Sequence, residues 1–145
     1  MGEITEFTSR KGTISCNAGG VYRFVTNLDN FRQFIPEGTI SGWHSDADSC
    51  RFEVNSIGSV NIRLTLKQPN SRVVYSGEAL QNNSFSIDLD ITGTGESSSV
   101  ASLVLRTETN PLMKMIIAKP ASQFLEMMIS EMEGFRGWDL QGEQT

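Results

Sequence analysis

His44 is the single histidine of the chain, so any Ser-His-Asp or Cys-His pair has to be built on it. Its neighbours Ser45, Asp46 and Asp48 belong to a turn-forming stretch, Asp46-Ala47-Asp48-Ser49, and nothing there forms the strand–turn–helix elbow that presents a nucleophile. His44 therefore reads as a polar strand residue, lining or surface, rather than a general base. Asp46-x-Asp48 lacks the glycine and the closing glutamate that a calcium loop needs at fixed offsets. Asp88 and Asp90 stand two apart on a candidate strand and share one face, which a solvated sheet surface explains better than an acid–base pair. Gly93-Thr94-Gly95 lies between strands and precedes no helix, so it is not a phosphate loop. Cys16 and Cys50 have no metal-ligand spacing and read as two reduced, partly buried thiols. Trp43 and Tyr75 each carry an apolar body with a polar tip. Either can line a pocket and offer a ligand one hydrogen bond, although ordinary sheet packing is the simpler use of each. The residue types thus suggest no catalytic centre, no metal and no cofactor.

Composition narrows the partners. At 145 residues the chain suits one domain, spanning 1–145, with one core. Apolar residues make up 38% and charged residues 20%, which excludes a disordered chain. The net charge of −5 and the scattered basic residues, of which only Arg10 and Lys11 are adjacent, argue against nucleic acid as a partner. No apolar run reaches the roughly 18 residues of a membrane span. The start, MGEITEFTSRKG, is not a secretory signal, and Glu6 breaks the myristoylation pattern. A cytoplasmic location is the expectation.

The elements that must position these residues follow from periodicity. Glu3 to Cys16 reads as extended, interrupted or bulged at Arg10-Lys11-Gly12. Asn17 can cap a helix in which Val21, Phe24, Val25 and Leu28 share a face, and Gly19 and Gly20 weaken its first turn. A break at Leu28-Asp29-Asn30 precedes a short helix through Phe31, Phe34 and Ile35, ended by Pro36-Glu37-Gly38.

Beyond Gly38 the period changes to two. Thr39–Ser45 is a candidate strand; Cys50, Phe52 and Val54 alternate with charged and polar residues, as do Val60, Ile62, Leu64 and Leu66. Arg72–Glu78 is a strand, then Phe85, Ile87, Leu89 and Ile91 alternate, and Ala101, Leu103 and Leu105 mark the last strand. Turns are expected at Ser56-Ile57-Gly58, Gln68-Pro69-Asn70, Gln81-Asn82-Asn83 and Gly93–Ser97. Arg63 falls on the outer face. Such alternation predicts an antiparallel meander with one face buried and one wet.

Asn110–Glu133 carries the clearest helical period. Asn110 can cap it, Pro111 suits its first position, and Met113, Ile117, Phe124 and Met128 form a stripe with Ala121, widened by Leu125, Ile129 and Met132. Pro120 stands inside, so a kinked or two-part helix is expected, with the gripping part after Lys119. Gly134 offers a stop.

This order resembles the helix-grip superfamily of START domains, birch-pollen-allergen-like proteins and bacterial polyketide cyclase-like proteins (SRPBCC). The likeness rests on NAGGVYRFVTNLDNFRQFIPEG (17–38), WHSDADSCRFEV (43–54) and NPLMKMIIAKPASQFLEMM (110–128), and it covers nearly the whole chain. Where that family often has a proline and an acidic residue after the first cap, this chain has Gly19 and Gly20. The resemblance implies an α+β helix-grip fold. A curved antiparallel sheet of seven strands wraps a long C-terminal helix, with two short helices between the first and second strands. It also implies a hydrophobic cavity between sheet and helix. The residues expected to line it are Phe24, Leu28, Trp43, Phe52, Ile62, Leu64, Tyr75, Phe85 and Ile87, with Met113, Ile117, Phe124 and Met128 from the long helix. Binding of a small hydrophobic or amphipathic ligand of lipid or polyketide kind is the leading expectation, and the methionines suit an adaptable wall. A cyclase- or dehydratase-type enzyme and an interaction module are the alternatives; the aromatic tail Phe135-Arg136-Gly137-Trp138-Asp139-Leu140 bears on the last.

Overall fold

The computed structural model describes residues 3–35, 38, 40–54, 58–79 and 83–138; the side chains of Glu3, Ala79, Asn83 and Met113 fall outside that description. The expectations placed wholly or partly on 36–39, 55–57, 80–82 and 139–140 lie outside it too.

The first extended stretch is two strands, β1 (Glu3–Thr8) and β2 (Gly12–Ile14), parted where Arg10-Lys11 was expected to interrupt it. Both pair antiparallel with β8 (Ser98–Thr109). Between them and β8 run β3 (Ile40–Ser45), β4 (Ser49–Val54), β5 (Gly58–Gln68), β6 (Arg72–Ala79) and β7 (Asn83–Gly95). The order across the sheet is β1-β8-β7-β6-β5-β4-β3, a meander of neighbouring hairpins closed by the return of the chain's start beside its last strand. The antiparallel meander is the one the alternation predicts, and with the long C-terminal helix it makes the helix-grip α+β architecture that the resemblance implied.

The inner face carries Cys50, Phe52, Val60, Ile62, Val73, Tyr75, Ile87, Leu89, Ile91, Ala101 and Leu103, all buried. Leu66 departs from its expected place. A bulge between Leu64 and Leu66 lets Leu64 pair with Tyr75 while Leu66 pairs with Val74, so Leu66 turns to the outer face and is exposed. Gly77 marks a close approach within the sheet. A Cβ there would stand 2.2 Å from the Asn61 carbonyl oxygen and 2.8 Å from the Phe85 ring.

Two short helices cover part of the inner face. α1 (Ala18–Val25) is capped by Asn17, whose side-chain oxygen accepts from Gly20 N–H at 2.7 Å. The expected break falls slightly earlier than Leu28. Asn27 caps a 3-10 helix, Leu28–Phe34, by accepting from Asp29 N–H, and buries Leu28, Phe31 and Phe34.

α2 (Pro111–Gly134) then packs on β8, β2, β1 and the 3-10 helix. It runs unbroken through Pro120, so the expected two-part helix is corrected. The reason is local. Pro120 is exposed, and a proline removes a single hydrogen bond, whose acceptor is the carbonyl four residues earlier. That carbonyl belongs to Ile116, which is also exposed, so water can serve it. The tail is folded back. Phe135 and Trp138 join Phe24 and Phe34 in a cluster of rings with centroids 5.0–5.7 Å apart.

Candidate functional site

The cross-strand register determines which expected site residues meet. One inward row runs Leu64–Tyr75–Ile87–Leu105–Phe7, and the next runs Cys50–Ile62–Gly77–Phe85–Thr107–Thr5. Over them lie α1, the 3-10 helix and α2. Phe24, Leu28, Phe52, Ile62, Tyr75, Ile87 and Met128 are all buried in one contiguous cluster. Trp43, Leu64, Phe85 and Phe124 are partly buried against that cluster, and Ile117 is half-buried on α2.

Two polar tips singled out in the sequence are committed to protein partners. Tyr75 is fully buried, donates its hydroxyl to the Val25 carbonyl at 2.7 Å, and meets the Phe31 ring edge-on at 5.1 Å. Burial pushes its phenol well above the ordinary tyrosine range. Trp43 stacks on Phe52 at 5.4 Å and donates its indole N–H to Ser45 Oγ at 2.9 Å, which in turn donates to Asp29. Trp138 differs: its indole nitrogen is buried without a hydrogen-bond partner among the described residues.

The inner wall also has a polar strip that the alternation reading did not reach. Thr5, Thr107 and Thr109 take inward positions on β1 and β8 and are buried. Thr5 and Thr109 share a hydroxyl–hydroxyl bond of 2.6 Å, and Thr107 donates to the Ser84 carbonyl at 2.9 Å. The signal was available: stepping by two from Leu103 and Leu105 lands on 107 and 109. Beside this strip stand half-buried Phe7, Phe85 and Leu105.

A groove of about 900 Å³ crosses the opposite, outer face. Its row Arg63–Ser76–Ser86–Arg106 comes from outward positions of β5 to β8, with Arg51, Asn61 and Glu78 alongside and His44 and Asp46 at one end. Arg63 is outward, as the alternation predicts. Arg106 is held by Glu6 at 2.8 Å and Asp88 at 2.6 Å, and these contacts raise the guanidinium's already high affinity for its proton. Asp46 accepts from the backbone N–H groups of Asp48 and Ser49, which hold its carboxyl below the usual range. Asp46-x-Asp48 is thus an Asx turn joining β3 to β4. Asp88, on the outer face, is covered by Arg106 rather than paired with Asp90, which binds Arg72 at 2.7 Å.

Cys50 is buried on the inner face, and burial, with a contribution from Asp46, pushes its thiol up to about 12. Cys16 is buried as well, and neither cysteine is in a disulfide. Among the described residues no group of three His, Cys, Asp or Glu side chains is placed to hold a metal ion. No described helix is long and apolar enough to cross a membrane.

This geometry recurs in solved structures. A START superfamily protein from Mycobacterium smegmatis superposes with a TM-score of 0.66 at 15% identity, over 90% of this chain and 94% of that one. Norcoclaurine synthase from Thalictrum flavum, in complex with dopamine and hydroxybenzaldehyde, gives 0.68 at 10% identity, over 99% and 90%. A protein of unknown function from Staphylococcus aureus gives 0.70 at 11% identity, over 99% and 98%. No protein-family model matches the chain. No curated protein matches it either. The described residues have the START-like helix-grip fold; at these identities the likeness is one of fold.

Proposed function

We propose that the protein binds a small hydrophobic or amphipathic molecule, lipid- or polyketide-like, between the inner face of the sheet and α2. The observation that carries this is the unevenly closed grip. Phe7, Trp43, Leu64, Phe85 and Leu105 on the sheet, and Ile117 and Phe124 on α2, are left partly exposed, while Phe24, Leu28, Phe52, Ile62, Tyr75, Ile87 and Met128 are buried. A half-buried apolar wall beside buried threonine hydroxyls suits a ligand with an apolar body and one polar end. Of the residues expected to line the site, Ile117, Phe124, Phe85, Leu64 and Trp43 would touch such a ligand first. Phe24, Leu28, Phe52, Ile62, Tyr75, Ile87 and Met128 would form the packed floor behind them. The structure of norcoclaurine synthase with dopamine and hydroxybenzaldehyde supports the reading by showing small aromatic molecules held by a protein of this fold.

Binding is preferred to catalysis on the chemistry of the interior. Its titratable groups include Tyr75, committed to Val25, and Cys50, and burial favours the neutral form of both. Two buried cysteines that form no disulfide support a cytoplasmic location. Native mass spectrometry of gently purified protein, followed by titration with fatty acids, sterols and aromatic polyketides, tests the proposal. A bound small molecule, or saturable binding weakened by Phe85→Asp, is the expected result. No bound species and no binding across the panel would overturn it.

A further inference from the structure

One stripe of α2 climbs out of the core toward the start of the helix. At about 100° per residue, Ala118, Ala121, Leu125, Met128 and Met132 all fall within about 40° of Lys114. Leu125, Met128 and Met132 are buried, Ala118 and Ala121 are half-buried, and Lys114 is exposed. The direction of Lys114 does not depend on counting across Pro120. Half-buried Ile117 and Ala118, one turn on, stand to either side of it. Lys114 is therefore on the sheet side of α2, although water reaches it. Lys119 lies about 140° round the helix and faces away.

Two fixed points give its height along the sheet. α2 starts just after β8 ends at Thr109, and Ile129 packs against Gly12, which pairs with Ala101 of β8. From 109 back to 101 the strand covers about 26 Å, and from 111 to 129 the helix covers about 27 Å. The helix thus runs back along β8, with Lys114 level with Thr107 and Thr109, and with Ile117, Ala118 and Ala121 level with Leu105. This is the open end of the grip, where Phe7, Phe85 and Leu105 are left partly exposed. The hydrogen bond between Thr5 and Thr109 uses one hydroxyl proton of the pair. The other is left, among the described residues, for an acceptor. An ammonium and a hydroxyl donor at the rim, with apolar walls behind them, form a donor set for an anionic oxygen head, and a single ammonium balances a monoanion.

We propose that the ligand of the grip is an aliphatic monocarboxylate, held at its head by Lys114 and the Thr5–Thr109 pair; this rests on the ligand-binding reading above. The carboxylate accepts from the ammonium and from the uncommitted hydroxyl. The aliphatic chain runs inward under α2, past Ala118 and Ala121, whose small side chains leave room for a slender body. The stripe closes at Leu125, about 16 Å along the helix from Lys114, which matches a chain of medium length such as dodecanoate.

Titration calorimetry with dodecanoate and with dodecanol, its uncharged match in length, tests this. The parent protein binds the acid about tenfold tighter than the alcohol, and salt narrows the gap. Lys114→Gln brings the acid to within about twofold of the alcohol and leaves the alcohol unchanged, whereas Lys114→Arg keeps the preference. Lys119→Gln makes the same change of charge on the far side of the helix and leaves both affinities as they were. Thr5→Val with Thr109→Val keeps the shape of the strip, removes its hydroxyls and weakens the acid by about fivefold. Equal binding of acid and alcohol by the parent, or an acid preference that survives Lys114→Gln, overturns this inference and leaves the ligand-binding reading standing. Binding of neither overturns both. A Lys114→Gln protein that melts lower and loses acid and alcohol alike would show that the lysine braces the rim where Glu3 pairs with Thr109, and overturns the inference too.

Discussion

The two halves of α2 contain similar apolar residues in different surroundings. After Pro120, Leu125, Met128, Ile129 and Met132 are buried, and the helix is clamped to the start of the sheet. Glu133 binds Arg10 at 2.7 Å and accepts from Thr13 N–H, Glu126 accepts from Arg10 N–H, and Ile129 packs so close to Gly12 that a Cβ there would stand 2.7 Å away. Before Pro120, Leu112, Met115 and Ile116 face outward. What separates the halves is the wall available to each: β2 and the Arg10 turn meet the second half, and three large apolar side chains of the first half have no such wall among the described residues. Helical period sorts residues into faces, but the neighbour decides whether a face is core or surface.

The largest expected break in this contrast is Met128→Ala. It should cost about 2–5 kcal/mol in chemical denaturation, because a fully buried side chain leaves a cavity the packed second half cannot collapse. A cost near zero would mean that the second half is as loosely held as the first. Pro120→Ala, at the junction, should stabilise the protein by up to about 3 kcal/mol by restoring the hydrogen bond to the residue 116 carbonyl. If ligand exchange slows in that variant, the junction also serves as a hinge.

The buried thiol sharpens the closed side. With Cys50 raised to about 12, the unfolded state ionises first as pH climbs past the ordinary thiol range. The contribution of the neutral buried thiol is full below that range and is lost as pH rises toward 12, at about 1 kcal/mol per pH unit. Thermal melting from pH 8 upward, with Cys50→Ala as reference, reads this slope, and a thiol reagent that labels native protein rapidly at pH 8 would contradict it. Glu133→Gln should have a smaller, salt-sensitive effect. Arg10 and the Thr13 amide hold the Glu133 carboxyl below its usual range, so its contribution is present above that range and fades as pH falls. Smallest of all, Met115→Ala should change stability by less than about 0.5 kcal/mol in chemical denaturation, because that side chain is exposed.

Much of this was legible residue by residue. The Asn17 cap, the interruption at Arg10-Lys11-Gly12, the inward sets of β4, β7 and β8 and the outward Arg63 all follow from propensity and period. Three features were not. Leu66 reads as inward until the bulge shifts its partner from the expected position to Val74. Pro120 reads as a breaker until its exposure shows that water can take over the orphaned carbonyl. The apolar alternation stops at Leu105 and gives no face to Thr5, Thr107 and Thr109; the closing of β1 onto β8 buries them, with Thr5 bonded to Thr109 and Thr107 to the Ser84 carbonyl.

The candidate site divides the same way. Its members were named from the apolar faces of strands and helices, and the register brings most of them into one cluster. Which of them form packed floor and which stay open depended on the reach of the tail: Phe135 and Trp138 fill the space beside Phe24 and Phe34. Alternation and helical period are local properties of a chain, so the sequence by itself determined the elements, their faces and their antiparallel order. Burial and the contrast between the two halves of α2 depend on contacts between residues about a hundred positions apart, such as Arg10 with Glu133 and Thr5 with Thr109. Only the tertiary structure decided those, because close packing is a property of the surfaces that meet and not of either one alone.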